Sequence, residues 1–131
     1  MALGTIASDT IQDGAGNSTA TTTVIKGSAK AWVNFNDNGS TATINASYNV
    51  SSITYGGSGI YTVNFTASMP SSSYASALQF QTSSASSTYY GYETWVSSQS
   101  ASNIVCRYTS HNTGGTQQAN TTNGSVTIFS N

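Results

Sequence analysis

Charge is what this chain most lacks. Only 5% of its 131 residues are Asp, Glu, Lys or Arg, against about 25% in an average soluble domain. Lys26, Lys30 and Arg107 are its only cations, too few for the phosphate neutralisation on which nucleic-acid binding rests, so no nucleic-acid partner is expected. There is no apolar run long enough to span a bilayer and no basic amphipathic segment to lie on one, so no membrane insertion is expected. Met1-Ala2-Leu3-Gly4 lacks the charged-then-apolar order of a secretory signal. A single cysteine, Cys106, excludes a disulfide framework and reads as a buried thiol in a reducing cytoplasm.

Chemistry-bearing side chains are equally scarce. The acids are Asp9, Asp13, Asp37 and Glu93, and the one histidine is His111. A glycosidase needs two carboxyls facing one another across the scissile bond, and here only Glu93 stands free of a turn or an unpatterned segment. His111 and Cys106 do not complete a tetrahedral metal set. No nucleophile elbow is present. The expectation is therefore a non-enzymatic protein with no catalytic residue, no metal site and no cofactor.

What the chain has in abundance is hydroxyl and amide. Serine and threonine make up about a third of it, and eight Tyr, four Phe and two Trp accompany many Val, Ile and Thr. Disordered chains lack such residues, and these are strand formers. Runs with a two-residue period recur about every ten residues, broken by turns and by Pro70. The spacing predicts eight or nine short strands and no helix. This gives an all-β fold, an antiparallel β-sandwich of jelly-roll-like or Ig-like type. Residues 20–131 form the sandwich domain, and residues 1–19 are an N-terminal arm or edge segment with spaced isoleucines, Ile6 and Ile11, that can dock on a partner.

The strand predictions are specific. Thr21 to Ile25 is β-branched and reads as a short strand. Ala29 to Phe35 and Ala42 to Tyr48 alternate on either side of Asp37-Asn38-Gly39-Ser40, a strong hairpin signal in which Asp37 caps backbone amides. Val50–Tyr55, Ile60–Ala67, Tyr74–Thr82, Thr88–Val96, Asn103–Thr109 and Ser125–Phe129 follow. Ser83–Ser87, Ser97–Ser102 and the patternless Ser110–Gly124 read as loops, the class of segment that most often carries recognition.

Lys26-Gly27-Ser28-Ala29-Lys30-Ala31-Trp32-Val33-Asn34-Phe35-Asn36, then Ala46-Ser47-Tyr48-Asn49-Val50-Ser51-Ser52-Ile53-Thr54, then Gly59-Ile60-Tyr61-Thr62-Val63-Asn64-Phe65-Thr66 and Met69-Pro70, together resemble a module of tailed-bacteriophage virion proteins, most often the distal part of tail fibres. The resemblance spans roughly residues 13–75. It implies a structural virion protein, usually homotrimeric, whose partners are other copies of itself, other phage virion proteins and host surface polysaccharide. Family members commonly carry this module at the end of a much longer polypeptide, whereas about a dozen residues precede it here. A capsid decoration or cement protein is accordingly the alternative to a tail fibre, and a cellular carbohydrate-binding module is the reading from a different class.

The candidate glycan platform is Tyr89, Tyr90, Tyr92, Glu93 and Trp95. Rings offer flat apolar faces to sugar C–H surfaces, while amides and hydroxyls bond sugar hydroxyls. Simple alternation would instead divide these rings between core and rim, with Tyr90 and Tyr92 on one side and Tyr89 and Trp95 on the other. Ile6, Ile11 and Trp32 are the candidate oligomer or partner contacts. Trp32 lies opposite Val33 and Phe35, so its ring faces away from the core and toward a second sheet or subunit.

Overall fold

The computed structural model describes residues 4, 7–81, 89–112, 115–118 and 121–130; for 89, 90, 112 and 115–118 it describes the backbone alone. Among the described residues, eleven strands and one helix follow in the order β1 (Thr10–Gln12), β2 (Ser18–Ala20), α1 (Thr21–Gly27), β3 (Ala31–Asp37), β4 (Ala42–Tyr48), β5 (Val50–Tyr55), β6 (Ile60–Phe65), β7 (Ala75–Gln81), β8 (Tyr89–Gln99), β9 (Asn103–Asn112), β10 (Gly115–Gln118) and β11 (Asn123–Phe129). The all-β expectation holds, and every strand pairing among the described residues is antiparallel.

β4, β3, β11 and β7 form one sheet in that order. In the second, β5 pairs β6 and β6 pairs the first half of β9, while β10 pairs its second half; β8 runs along the opposite edge of β9. The alternation read in the sequence decides which faces meet. Ala31, Val33 and Phe35 of β3 and Val126 and Ile128 of β11 turn inward from the first sheet. Tyr61, Val63 and Phe65 of β6 and Ile104 and Cys106 of β9 meet them from the second, in one buried cluster. Burying such side chains contributes roughly 1.5–3 kcal/mol each.

Rings carry the contact from one sheet to the other. Phe35 lies 5.0 Å from Tyr61, Tyr61 stacks on Phe80 at 5.5 Å, and Phe80 stacks on Tyr108 at 5.7 Å. Each such pair adds about 0.5–1.5 kcal/mol beyond area burial. The Tyr61 hydroxyl donates to Asp37 Oδ2 at 2.6 Å, while Asp37 Oδ1 accepts the Gly39 N–H at 2.8 Å. Asp37 therefore caps the hairpin turn as expected, and also ties that turn to the other sheet. Gly39, at φ 87°, supplies the left-handed residue that the turn requires.

The chain passes from β4 to β5, and so from one sheet to the other, through Asn49 at φ 54°. A side chain in this region is strained unless its surroundings hold it. Here they do. Asn49 Nδ2 donates to the Lys30 and Ala67 carbonyls, and its Oδ1 accepts the Ala67 N–H at 2.7 Å.

Three expectations are corrected. Thr21 to Ile25 lies in α1 rather than in a strand, although β-branched residues disfavour helix. Hydrogen bonds at its two ends override the propensity. Thr21 Oγ1 donates to the Ser8 carbonyl, Ser28 N–H and Oγ donate to the Val24 and Ile25 carbonyls, and the Lys30 ammonium also reaches the Ile25 carbonyl, as cations favour at helix C-termini. The predicted loop from Ser97 begins only after β8 ends at Gln99. The patternless Ser110–Gly124 stretch contains the end of β9, all of β10 and the start of β11. Ser110 is as buried as the core residues, so polarity concealed the strand there. The predicted Ser83–Ser87 loop lies outside the described residues.

The first strands stand apart from this core. β1 and β2 pair only with one another among the described residues, and Asp13 closes their turn by accepting hydrogen bonds from Ala15 N–H, Asn17 N–H and Asn17 Nδ2. Those bonds, the Asn17 side chain first, hold the Asp13 carboxyl below its ordinary range. No residue of α1 is buried.

Candidate functional site

β8 places the predicted platform residues on a single long strand whose second edge is unpaired among the described residues. Register with β9 divides them by face. Glu93 lies opposite Thr109 and Trp95 opposite Arg107, on the outward side, whereas Tyr92 lies opposite Ser110 and Val96 opposite Cys106, on the core side. Irregularities between Tyr89 and Gly91 and between Val96 and Ser98 interrupt the alternation at both ends. The side chains of Tyr89 and Tyr90 lie outside the described residues.

Tyr92 belongs to the ring column rather than to the outward face. Its ring stacks on Tyr108 at 5.5 Å with an interplanar angle of 2°, extending the series from Phe35 through Tyr61, Phe80 and Tyr108 to the rim. Burial, followed by the neighbouring Tyr92, raises the Tyr108 hydroxyl above its ordinary range.

The outward face is built differently. Trp95 is 48% exposed and lies between Glu93 and Ser97 along β8. Glu93 Oε2 is 3.1 Å from His111 Nε2, and Arg107 Nε donates to Ser97 Oγ at 3.1 Å. Thr109 sits between Arg107 and His111 on β9; it is 4% exposed, and its hydroxyl has no hydrogen-bond partner among the described residues. Such a hydroxyl costs about 1–3 kcal/mol if left unpaired. The strip thus combines a ring face, a guanidinium bonded to Ser97 and a carboxylate beside an imidazole, while the Thr109 hydroxyl is enclosed beneath them.

Sequence reasoning identified Glu93 and Trp95 but missed Arg107, Thr109 and His111 as their neighbours. The signal lay in Cys106, Tyr108 and Ser110 alternating with those three residues, which extends the strand past Thr109. Two further acids are committed elsewhere: Asp13 to the β1–β2 turn and Asp37 to Tyr61 and Gly39. Among the described residues no group of three or more His, Cys, Asp or Glu could hold a metal ion, and no helix is long and apolar enough to cross a membrane.

The predicted contact residues are dispersed. Trp32 points outward from the four-stranded sheet beside Tyr48. Ile11 lies on β1, half exposed, and lines a shallow hollow of about 300 Å³ with Asp13 and Asn17. Ile6 lies outside the described residues. Comparison with protein-family models, with curated proteins and with solved structures finds no match to this chain.

Proposed function

We propose that this is a non-enzymatic structural virion protein of a tailed phage, a homotrimeric tail-fibre or fibre-tip module that contacts host surface glycan through the outward face of β8 and β9. In this reading the two larger sheets form a β-sandwich of jelly-roll-like or Ig-like type, and neighbouring copies cover its open edges. The observation that carries the glycan reading is the exposed Trp95 ring between the Glu93–His111 pair and the Arg107–Ser97 hydrogen bond. Polar groups held by one another around a ring suit a ligand that is apolar on its faces and hydroxylated at its rim.

The test is binding of purified host surface polysaccharide measured by calorimetry. Trp95→Ala is expected to weaken binding about tenfold or more, equivalent to roughly 1.4 kcal/mol or above, while Tyr92→Phe leaves it unchanged. Binding that is indifferent to Trp95→Ala removes this face from the reading. Binding by an isolated monomer, on the same residues, favours the cellular carbohydrate-binding module instead.

One observation favours the second reading, a capsid decoration or cement protein. Ile11, Val24 and Ile25 are exposed on the N-terminal hairpin and helix, a surface suited to attachment on a larger assembly. Either role would place the protein in the virion, on the tail or on the capsid surface.

A further inference from the structure

The outward face of the four-stranded sheet carries a second constellation, remote in sequence from Glu93 and Trp95. Asn34 of β3, Ser125 of β11 and Gln79 of β7 lie in register as one row, and Asn36, Asn123 and Gln81 form the next. Asn34, Gln79, Gln81, Asn123 and Ser125 line a depression of about 410 Å³, within the roughly 300–1,000 Å³ range of small-ligand sites.

The lining is uncharged, and parts of it are preset. The register shift after Asn34 makes Asn45 an extra residue on β4, and its Nδ2 donates to both Asn34 Oδ1 at 2.9 Å and Asn36 Oδ1 at 2.8 Å. With those oxygens engaged, the N–H donors of Asn34 are left for a ligand. Asn123 Nδ2 donates to Gln81 Oε1 at 3.1 Å, leaving the N–H donors of Gln81 and Asn123 Oδ1. Two residues before Asn34 on the same face stands Trp32, 39% exposed, opposite Tyr48, 59% exposed. That step along a strand is about 6–7 Å.

We propose that this depression binds a neutral saccharide, with a sugar face against Trp32 or Tyr48 and vicinal hydroxyls bridged by the carboxamides of Asn34, Gln79 and Gln81. The chemistry selects this class. A phosphate or carboxylate would meet no cation among the lining residues, and an apolar partner would strand several amides without hydrogen bonds. A polyhydroxylated, uncharged ligand satisfies donors and acceptors together. The site is separate from the β8–β9 face and does not rest on the virion reading.

The experiment is NMR of the side-chain amides of the intact chain during titration with short neutral gluco-, manno- and galacto-oligosaccharides, with an oligomeric hexuronic acid as the charged control. The expected result is movement of the Asn34, Gln79 and Gln81 side-chain N–H signals and of the Trp32 indole N–H with at least one neutral oligosaccharide. Gln79→Ala should then raise the Kd read from these signals about tenfold. Trp32→Ala provides an independent second variant with the same expected direction. The proposal is overturned if no neutral oligosaccharide moves these signals, or if the hexuronic oligomer binds there equally well. It is also overturned if the Trp32 and Asn34 signals respond only to protein concentration, which would make the face an interface between copies.

Discussion

At the scale of single residues, several side chains have more than one structural task, and this makes them sensitive to substitution. Gly124 lies directly opposite Phe35 in register, and a β-carbon built there would overlap the Phe35 ring. Phe35 is itself fully buried against Tyr61 and Phe80, so the ring has little room to retreat. Gly124→Ala is therefore expected to destabilise the fold by about 1–3 kcal/mol, read as a lowered urea midpoint with unchanged slope. The glycine was visible in the sequence, but its purpose was not, because only the register brings it under the ring. Glu93 and Trp95 were legible as chemistry-bearing residues on a strand. Their neighbours were hidden because the pairing of β8 with β9 is not written in the sequence, and because the polarity of Ser110 and His111 resembles a loop when read locally.

At the scale of elements, legibility followed alternation. β3, β4, β6 and β11 interleave inward apolar and outward polar residues and were predicted nearly in place. α1 was not, since its β-branched sequence has no buried face and is held by hydrogen bonds at its ends. The junction between β4 and β5 depends on Asn49, whose left-handed backbone and three side-chain hydrogen bonds join Lys30 and Ala67. Asn49→Ala removes those bonds and leaves a β-carbon in a disfavoured conformation. A loss of about 2–4 kcal/mol is expected, whereas Asn49→Gly keeps the backbone conformation accessible and should lose less. Thermal unfolding of the two variants checks the order.

At the scale of the whole molecule, a core built partly from rings and a thiol sets the response to pH. Burial raises the Cys106 thiol from 9.0 to about 12 and the Tyr74 hydroxyl from 10.0 to about 12. Burial, then the hydrogen bond to Asp37, raises the Tyr61 hydroxyl further still. In the unfolded chain the thiol loses its proton near pH 9 and the phenols near pH 10, while the folded chain keeps theirs. The unfolded state thus binds fewer protons, and stability falls as pH rises. Stability from these groups is expected to be intact below pH 9 and to decline between pH 9 and about 12. Urea titrations at stepped alkaline pH check the slope.

The same scale holds the functional claim, that a charge-poor, hydroxyl-rich all-β protein serves as part of a phage tail. Antibody-gold labelling of phage particles from the source of this chain, viewed by electron microscopy, tests it most directly. The expected result is label confined to the tail. Label spread over the head, or no label on the particle, would contradict it.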